Sequence, residues 1–328
     1  GFGPRVDVTG RAGGSILSDS TTRGQNLDEQ MWGLAGVSAK LVQPIWDGFA
    51  TRSRVRSAQS TLDSVKERVF DTATSLSLDG IIAHIDLLRR RTIYALSEKN
   101  VAQHKAILGQ AEDRANLGAD TAADVSQAQS RLSRALSSLS EAKASLLVAE
   151  ETYTRLTGMQ AYGKLMPVTM PPEIFKGPEP VFDLAEKNNP KLAAYMQDIR
   201  AARGERELAD SAFYPTFNLE AGPDYTDRGG SSDRWIYSFD VLGTVRWNIF
   251  NSGADLAERK AASARIRQSR QVMYNYIDDL KLDIESTWTN YQAAQEQYKH
   301  YSKAIEYNKY TRTAYLEQFQ IGKRSLLD

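Results

Sequence analysis

The chain is written twice. Leu117-Gly118-Ala119-Asp120-Thr121-Ala122-Ala123-Asp124 returns 204 positions later as Ile321-Gly322-Lys323-Arg324-Ser325-Leu326-Leu327-Asp328, and at the same offset Ile45-Trp46-Asp47 returns as Ile249-Phe250-Asn251. With a small change of spacing, Gly3-Pro4-Arg5-Val6-Asp7-Val8 is answered by Tyr214-Pro215-Thr216-Phe217-Asn218-Leu219. Each copy reads as two strand-like runs, a very long helix, a Gly-containing turn and the start of a return helix. That unit is far longer than a solenoid repeat. This is a duplicated architectural module.

The helices exclude a single globule. From Phe49 to Asn116 there is no proline and glycine occurs only at Gly80 and Gly109; at about 1.5 Å per residue such a helix is a rod of about 100 Å. With 41% apolar residues and a mean hydropathy of −0.47, the chain has little apolar material for one large core. The return segment shows how the rod packs. Ala128, Leu132, Ala135, Leu139, Ala142, Leu146, Ala149, Tyr153 and Leu156 step by four and three, the seam of an antiparallel coiled coil. The second long helix keeps that rhythm with aromatic residues, among them Tyr291, Tyr298, Tyr301, Tyr315 and Phe319.

The strands alternate with period two. In 237–248 one face carries Tyr237, Phe239, Val241, Gly243, Val245 and Trp247, the other Ser238, Asp240, Leu242, Thr244, Arg246 and Asn248. Val6, Val8, Gly10 and Ala12 oppose Arg5, Asp7, Thr9 and Arg11 in the same way. So do Phe217, Leu219 and Ala221 against Thr216, Asn218 and Glu220, and Val37, Ala39 and Leu41 against Ser38 and Lys40. Two readings fit. A soluble sheet with one solvated face alternates like this, and so does a transmembrane barrel with Phe217, Phe239, Val241, Val245 and Trp247 toward lipid and Arg5, Asp7, Lys40, Asp240 and Arg246 toward a wet lumen. Trp32, Trp46, Trp235 and Trp247 fall at or near strand ends, where an aromatic girdle would sit. Four strands cannot close a barrel, so on the membrane reading protomers share one.

These readings divide the chain into a first repeat at 1–158 (strands 3–14 and 33–46, helices 49–116 and 121–157), a linker at 159–180 and a second repeat at 181–328. The second repeat has a helix at 181–212, strands at 215–226 and 235–250, a helix at 254–320 and a tip at 321–328. The linker holds Pro167, Pro171, Pro172, Pro178 and Pro180, which suit neither helix interior nor central strand. The second copy stops at the tip, and a counterpart of the 181–212 helix is missing before Gly3; both ends of the natural molecule are expected to extend further.

Charge and motif searches point away from catalysis. Formal net charge is +0, which gives no general attraction to nucleic acid. Absence of cysteine removes disulfides and thiolate sites. Gly158-Met159-Gln160-Ala161-Tyr162-Gly163-Lys164 fits GxxxxGK, but Leu165 stands where Ser or Thr would hold magnesium. His84, His104 and His300 lack metal-ligand spacing. We expect no enzyme, metal or cofactor. At the tips, Thr121-Ala122-Ala123-Asp124 and Ser325-Leu326-Leu327-Asp328 each form a capping box, and repeated acidic tips brought together by symmetry would equally line a pore mouth, with Arg324 able to pair with Asp124.

The paired strands before each long helix, the Pro-Ile-Trp-Asp-Gly and Asn-Ile-Phe-Asn-Ser-Gly strand ends, the Gly-x5-Asp tips and the exit at Leu156-Thr157-Gly158 carry a resemblance. Over essentially the whole chain they resemble the TolC family of outer-membrane channel proteins. The resemblance implies a mainly α fold with β, in which each protomer adds four strands to a shared trimeric barrel and long antiparallel helices to a periplasmic tunnel. It implies a homotrimer, contact with outer-membrane lipid, a periplasmic adaptor and an inner-membrane transporter of ABC type. In that family an Asp of the first tip and a Tyr and an Arg of the second close the tunnel. Asp124, Arg324 and Asp328 match the acidic and basic places, while Phe319 stands at the Tyr position without its hydroxyl. Trp46-Asp47-Gly48-Phe49-Ala50-Thr51, Leu87-Leu88-Arg89-Arg90-Arg91, Asn100-Val101 and His104 look like the branch serving type I protein secretion. Drug or metal efflux is the alternative cargo class, and a soluble coiled-coil scaffold is the alternative of another kind.

Overall fold

The computed structural model describes residues 2–16, 18, 23–24, 31–118, 121–161, 163–169, 175–228 and 235–320, apart from the side chains of Arg228, Leu316, Phe319 and Gln320. The chain divides into two compact units, residues 1–67 with 191–277 and residues 68–190 with 278–328.

The first unit holds one antiparallel sheet. Its strands are β1 (Arg5–Ile16), β2 (Met31–Trp46), β3 (Thr216–Arg228) and β4 (Trp235–Arg246), in the order β1-β2-β3-β4. Register puts Asp7 beside Lys40, Ser38 beside Asp224 and Asp224 beside Ser238, which joins the polar alternates of all four strands on one face. The same register joins Val8, Ala39, Leu41, Ala221 and Val241 on the other. Strand β4 ends at Arg246, four residues short of the expected 250, because its partner begins at Thr216 and 247–250 have no strand beside them.

Both prolines inside strands sit where pairing is irregular. Pro223 has no N–H to donate, and opposite Gly222-Pro223 the β2–β3 ladder skips Ala39 and Lys40. At Pro44 a bulge shifts register, so that Trp46 pairs with Phe217. By strict alternation Trp46 would share the face of Lys40. The bulge moves it to the apolar one.

Each second strand turns into a long helix through two residues in left-handed conformation, Gly48-Phe49 (φ 63° and 68°) before α1 (Ala50–Asn116) and Ser252-Gly253 (φ 48° and 81°) further on. The two turns are 204 residues apart, so the repeat extends to backbone geometry. In the first, Asp47 accepts from the Thr51 N–H at 2.7 Å; at Gly48 a Cβ would meet Tyr214 at 2.8 Å. Only glycine fits there.

The expected 181–212 helix is two, α3 (Pro178–Asn188) and α4 (Pro190–Asp210), followed by a short 3-10 turn at Ser211–Phe213. Asn189 is extended (φ −73°, ψ 116°), as the residue before a proline prefers to be. Helix α4 lies against the start of α1 through small polar residues. A Cβ on Gly204 would stand 3.0 Å from Ser57, Ser64 donates to Asp198 at 2.5 Å, and Arg56 pairs with Glu207 at 2.5 Å.

In the second unit α1 packs on α2 (Ala122–Thr157). Ala128, Ala135, Ala142 and Ala149 are all buried, one every seven residues. Opposite them Ala83, Leu87, Val101 and Ala111 of α1 are buried at heptad-compatible spacing. Leu87 is 0% exposed and centres a cluster with Ala149, Ala161, Leu146, Tyr153 and Leu165. Gly158, left-handed at φ 69°, ends α2. The chain after it is strapped back onto α1, where Arg91 donates to the carbonyls of Gly163 and Ala161 and pairs with Glu150, and the His84 ring contacts the Met166 carbonyl at 3.0 Å. The last helix, α5 (Ala254–Gln320), belongs in part to each unit. No helix among the described residues is long and apolar enough to cross a membrane.

Candidate functional site

The polar face of the sheet is a network of charges that satisfy one another. Arg5 Nε lies 2.8 Å from Asp7. Lys40 meets Glu220 at 2.6 Å across β2 and β3, and the Thr244 hydroxyl donates to the same carboxylate at 3.2 Å. Arg11 donates to the Thr226 hydroxyl at 2.6 Å and stands 3.5 Å from Asp224. Ser238 donates to Asp240 at 3.2 Å. Arg5, Asp7, Lys40, Asp240 and Arg246, read from the sequence as one set, therefore share a face. Asp224 belongs with them and was hidden, since Gly222-Pro223 interrupts the alternation that would have revealed it.

Exposure does not follow polarity. Val241 is 61% and Val245 64% exposed, with Phe239, Tyr237, Val8 and Val37 similarly bare, while Thr226 on the polar face is 6% exposed. A soluble sheet packs its apolar face and wets the polar one. Here the apolar face is bare as well. At about 25 cal/mol per Å² of apolar surface, such a face in water is a heavy penalty, and it demands an apolar medium or partner.

Aromatic residues gather where this face meets the helices. Trp46 makes edge contacts with Phe49 (5.9 Å) and Tyr214 (6.0 Å) and a tilted one with Phe217 (5.9 Å). Trp247 lies just past β4, and its indole N–H donates to the Phe213 carbonyl at 3.2 Å. Rings that join an apolar body to a polar edge suit a boundary between hydrocarbon and water.

At the first tip Gly118 is left-handed (φ 74°), and Thr121 caps α2. Asp124 N–H donates to the Thr121 hydroxyl at 3.3 Å, while the Thr121 N–H and hydroxyl donate to Asp124 Oδ2 at 3.0 and 2.7 Å. These bonds, the side-chain one foremost, hold the Asp124 carboxyl below the ordinary range. Of the other tip residues, Phe319 lies in the last turn of α5 with its side chain outside the described residues, and Arg324 and Asp328 lie outside them altogether. The GxxxxGK segment is the strap held by Arg91, with its glycines serving the helix end and the turn.

A four-stranded antiparallel sheet whose second and fourth strands each feed a 67-residue helix is the fold of outer-membrane channels. Over 99% of the chain it superposes on 79% of the outer membrane protein VceC from Vibrio cholerae with a TM-score of 0.81 at 16% identity. It superposes equally fully on 75% of CusC, whose crystal structures describe transmembrane channel formation, with a TM-score of 0.78 at 15% identity. Residues 1–159 and 181–328 match the outer membrane efflux protein family, and the chain belongs to it. Outer membrane efflux protein BepC of Brucella suis biovar 1 (strain 1330) is 25% identical over 293 residues, 89% of this chain and 64% of BepC. The chain thus spans less than two thirds of that relative's length. The resemblance read from the strand ends and tips is borne out, and the chain's location is the outer membrane, extending into the periplasm.

Proposed function

We propose that the protein is the exit duct of a transport system, a trimer that passes substrate from a periplasmic helical tunnel through a shared outer-membrane barrel. The observation that carries this reading is the sheet itself, bare on its apolar face and charge-paired on its polar one. Because the sheet is antiparallel with an even number of strands, β4 of one protomer runs opposite to β1 of the next. Three copies then close a barrel within the permitted even series. The resemblance supports the same number.

Arg5, Asp7, Lys40, Asp240 and Arg246 line the lumen on this reading; Phe217, Phe239, Val241, Val245 and Trp247 face lipid. Asp124, Phe319, Arg324 and Asp328 form the gate at the periplasmic tip, with Asp124 serving as helix cap and pore wall at once. An adaptor and an inner-membrane transporter of ABC type complete the system. Type I secretion of a large protein is the cargo class favoured by the Trp46–Thr51 and Leu87–Arg91 segments. The efflux reading is favoured by the description of BepC. Deleting the gene separates them. Loss of a large secreted protein with unchanged tolerance of small toxins supports type I secretion, and the reverse supports efflux. A monodisperse monomer in detergent that keeps its β-structure overturns the duct itself.

A further inference from the structure

At the helix end of the apolar face there is an open groove of about 240 Å³. Its walls are Phe2, Pro44, Ile45, Trp46 and Phe49, and Arg52 stands at its edge. Asp47 also touches the groove, but its carboxylate is engaged by the Thr51 N–H. Among the described residues Arg52 makes no ion pair. Gln43 holds the first wall in place by donating to the Phe2 carbonyl at 2.9 Å.

The groove is kept at a backbone cost. Phe49 has φ 68°, a conformation that a bulky residue adopts only against strain. The equivalent residue of the second repeat, 204 positions on, is Gly253, which adopts φ 81° freely. The fold therefore accepts glycine in this turn, yet the first repeat keeps an aromatic ring there, exposed and stacked edge-on to Trp46. The bulge at Pro44 works to the same end, since it moves Trp46 onto the apolar face. Two local irregularities converge on one wall.

We propose that this groove is a lipid site, seating an anionic glycerophospholipid with its phosphate on Arg52 and its upper acyl chain along Phe2, Ile45, Trp46 and Phe49. The occupant follows from position and charge. The groove continues the bare apolar face, so it rests on the reading that this face meets lipid, and it is the place where that face gains an unpaired cation. An aromatic-lined apolar channel with one arginine at its mouth fits a molecule that is hydrocarbon at one end and a phosphodiester at the other. Anchoring there would fix how deeply the sheet sits in the bilayer.

The test is native mass spectrometry of the detergent-solubilised protein titrated with phosphatidylglycerol and, separately, with zwitterionic phosphatidylcholine. Wild type should take phosphatidylglycerol in preference. Arg52→Gln should bind it about fivefold more weakly with phosphatidylcholine unchanged, and Arg52→Lys should restore it. Phe49→Gly, which the second repeat shows to be compatible with the turn, should weaken both lipids alike. Equal binding of the two lipids by wild type, or equal phosphatidylglycerol binding by wild type and Arg52→Gln, overturns the site. Flotation with phosphatidylcholine vesicles tests its footing. If neither wild type nor variants float, the membrane reading fails and the site with it; if all float and the titrations coincide, the site fails by itself.

Discussion

The sheet and the α1–α2 hairpin place their apolar residues by different rules. In the hairpin the alanines of α2 vanish into the seam, Ala128 to 1% exposure, and Leu87 vanishes with them. In the sheet, valines and phenylalanines stand bare on one face while arginines, lysine and carboxylates pair with one another on the other. The hairpin hides a seam of mostly small residues. What differs between them is the period of the pattern and, on the proposed reading, the medium it is matched to.

The sharpest way to break this comparison is to attack each region by its own rule. Leu87→Ala should lower the stability of the helical unit by about 2–5 kcal/mol, read from denaturant unfolding, because the close alanine packing around it cannot collapse into the gap. A value within experimental error of zero would show that the seam does not carry the unit. Val241→Arg should impair insertion by about 2–4 kcal/mol if it lies near the bilayer midplane, whereas Thr244→Arg should be tolerated. Equal tolerance in a bilayer folding assay would erase the difference between the two faces.

The Lys40–Glu220 pair gives a smaller effect. Lys40 remains substantially exposed, so Lys40→Met should change folding stability by about 0–1 kcal/mol, and a larger loss would mean a drier polar face than the account allows. The smallest effect is at the tip. Since the Asp124 carboxyl is held below its ordinary value of 3.8, its contribution to the cap is present above that pH and disappears as pH falls through the depressed value. Protection of the first-turn amides of α2 against hydrogen exchange should therefore fall below about pH 4, and Asp124→Ala should abolish that step. A step that survives in Asp124→Ala must belong to another group.

Long, strictly periodic elements were legible in the sequence. The α2 seam and the two faces of β4 follow from spacing by itself, and the repeat foretold that two strand pairs would feed two long helices. What escaped was local. Trp46 changes face through a bulge that only pairing with β3 reveals, although Pro44 inside a strand was the available sign. Asn189-Pro190 divides what apolar content made look like one helix. The α1 half of the seam was missed because Arg90, Tyr94 and Ser97 occupy positions between its buried residues and mask the period. Of the tip, the cap at Asp124 was readable from Thr-x-x-Asp, whereas its pairing with Arg324 depends on residues beyond those described.

The central claim is that the bare face of the sheet meets lipid and the paired face meets water. These 328 residues hold no cysteine, so single substitutions in them report without background. Phe239→Cys, Val241→Cys and Val245→Cys, beside Ser238→Cys, Asp240→Cys and Thr244→Cys, are treated with a membrane-impermeant maleimide in proteoliposomes. The account predicts that the even-numbered set labels and the odd-numbered set stays protected until the bilayer is dissolved. Labelling of the odd-numbered set at the same rate as the even one, in intact vesicles, would contradict it.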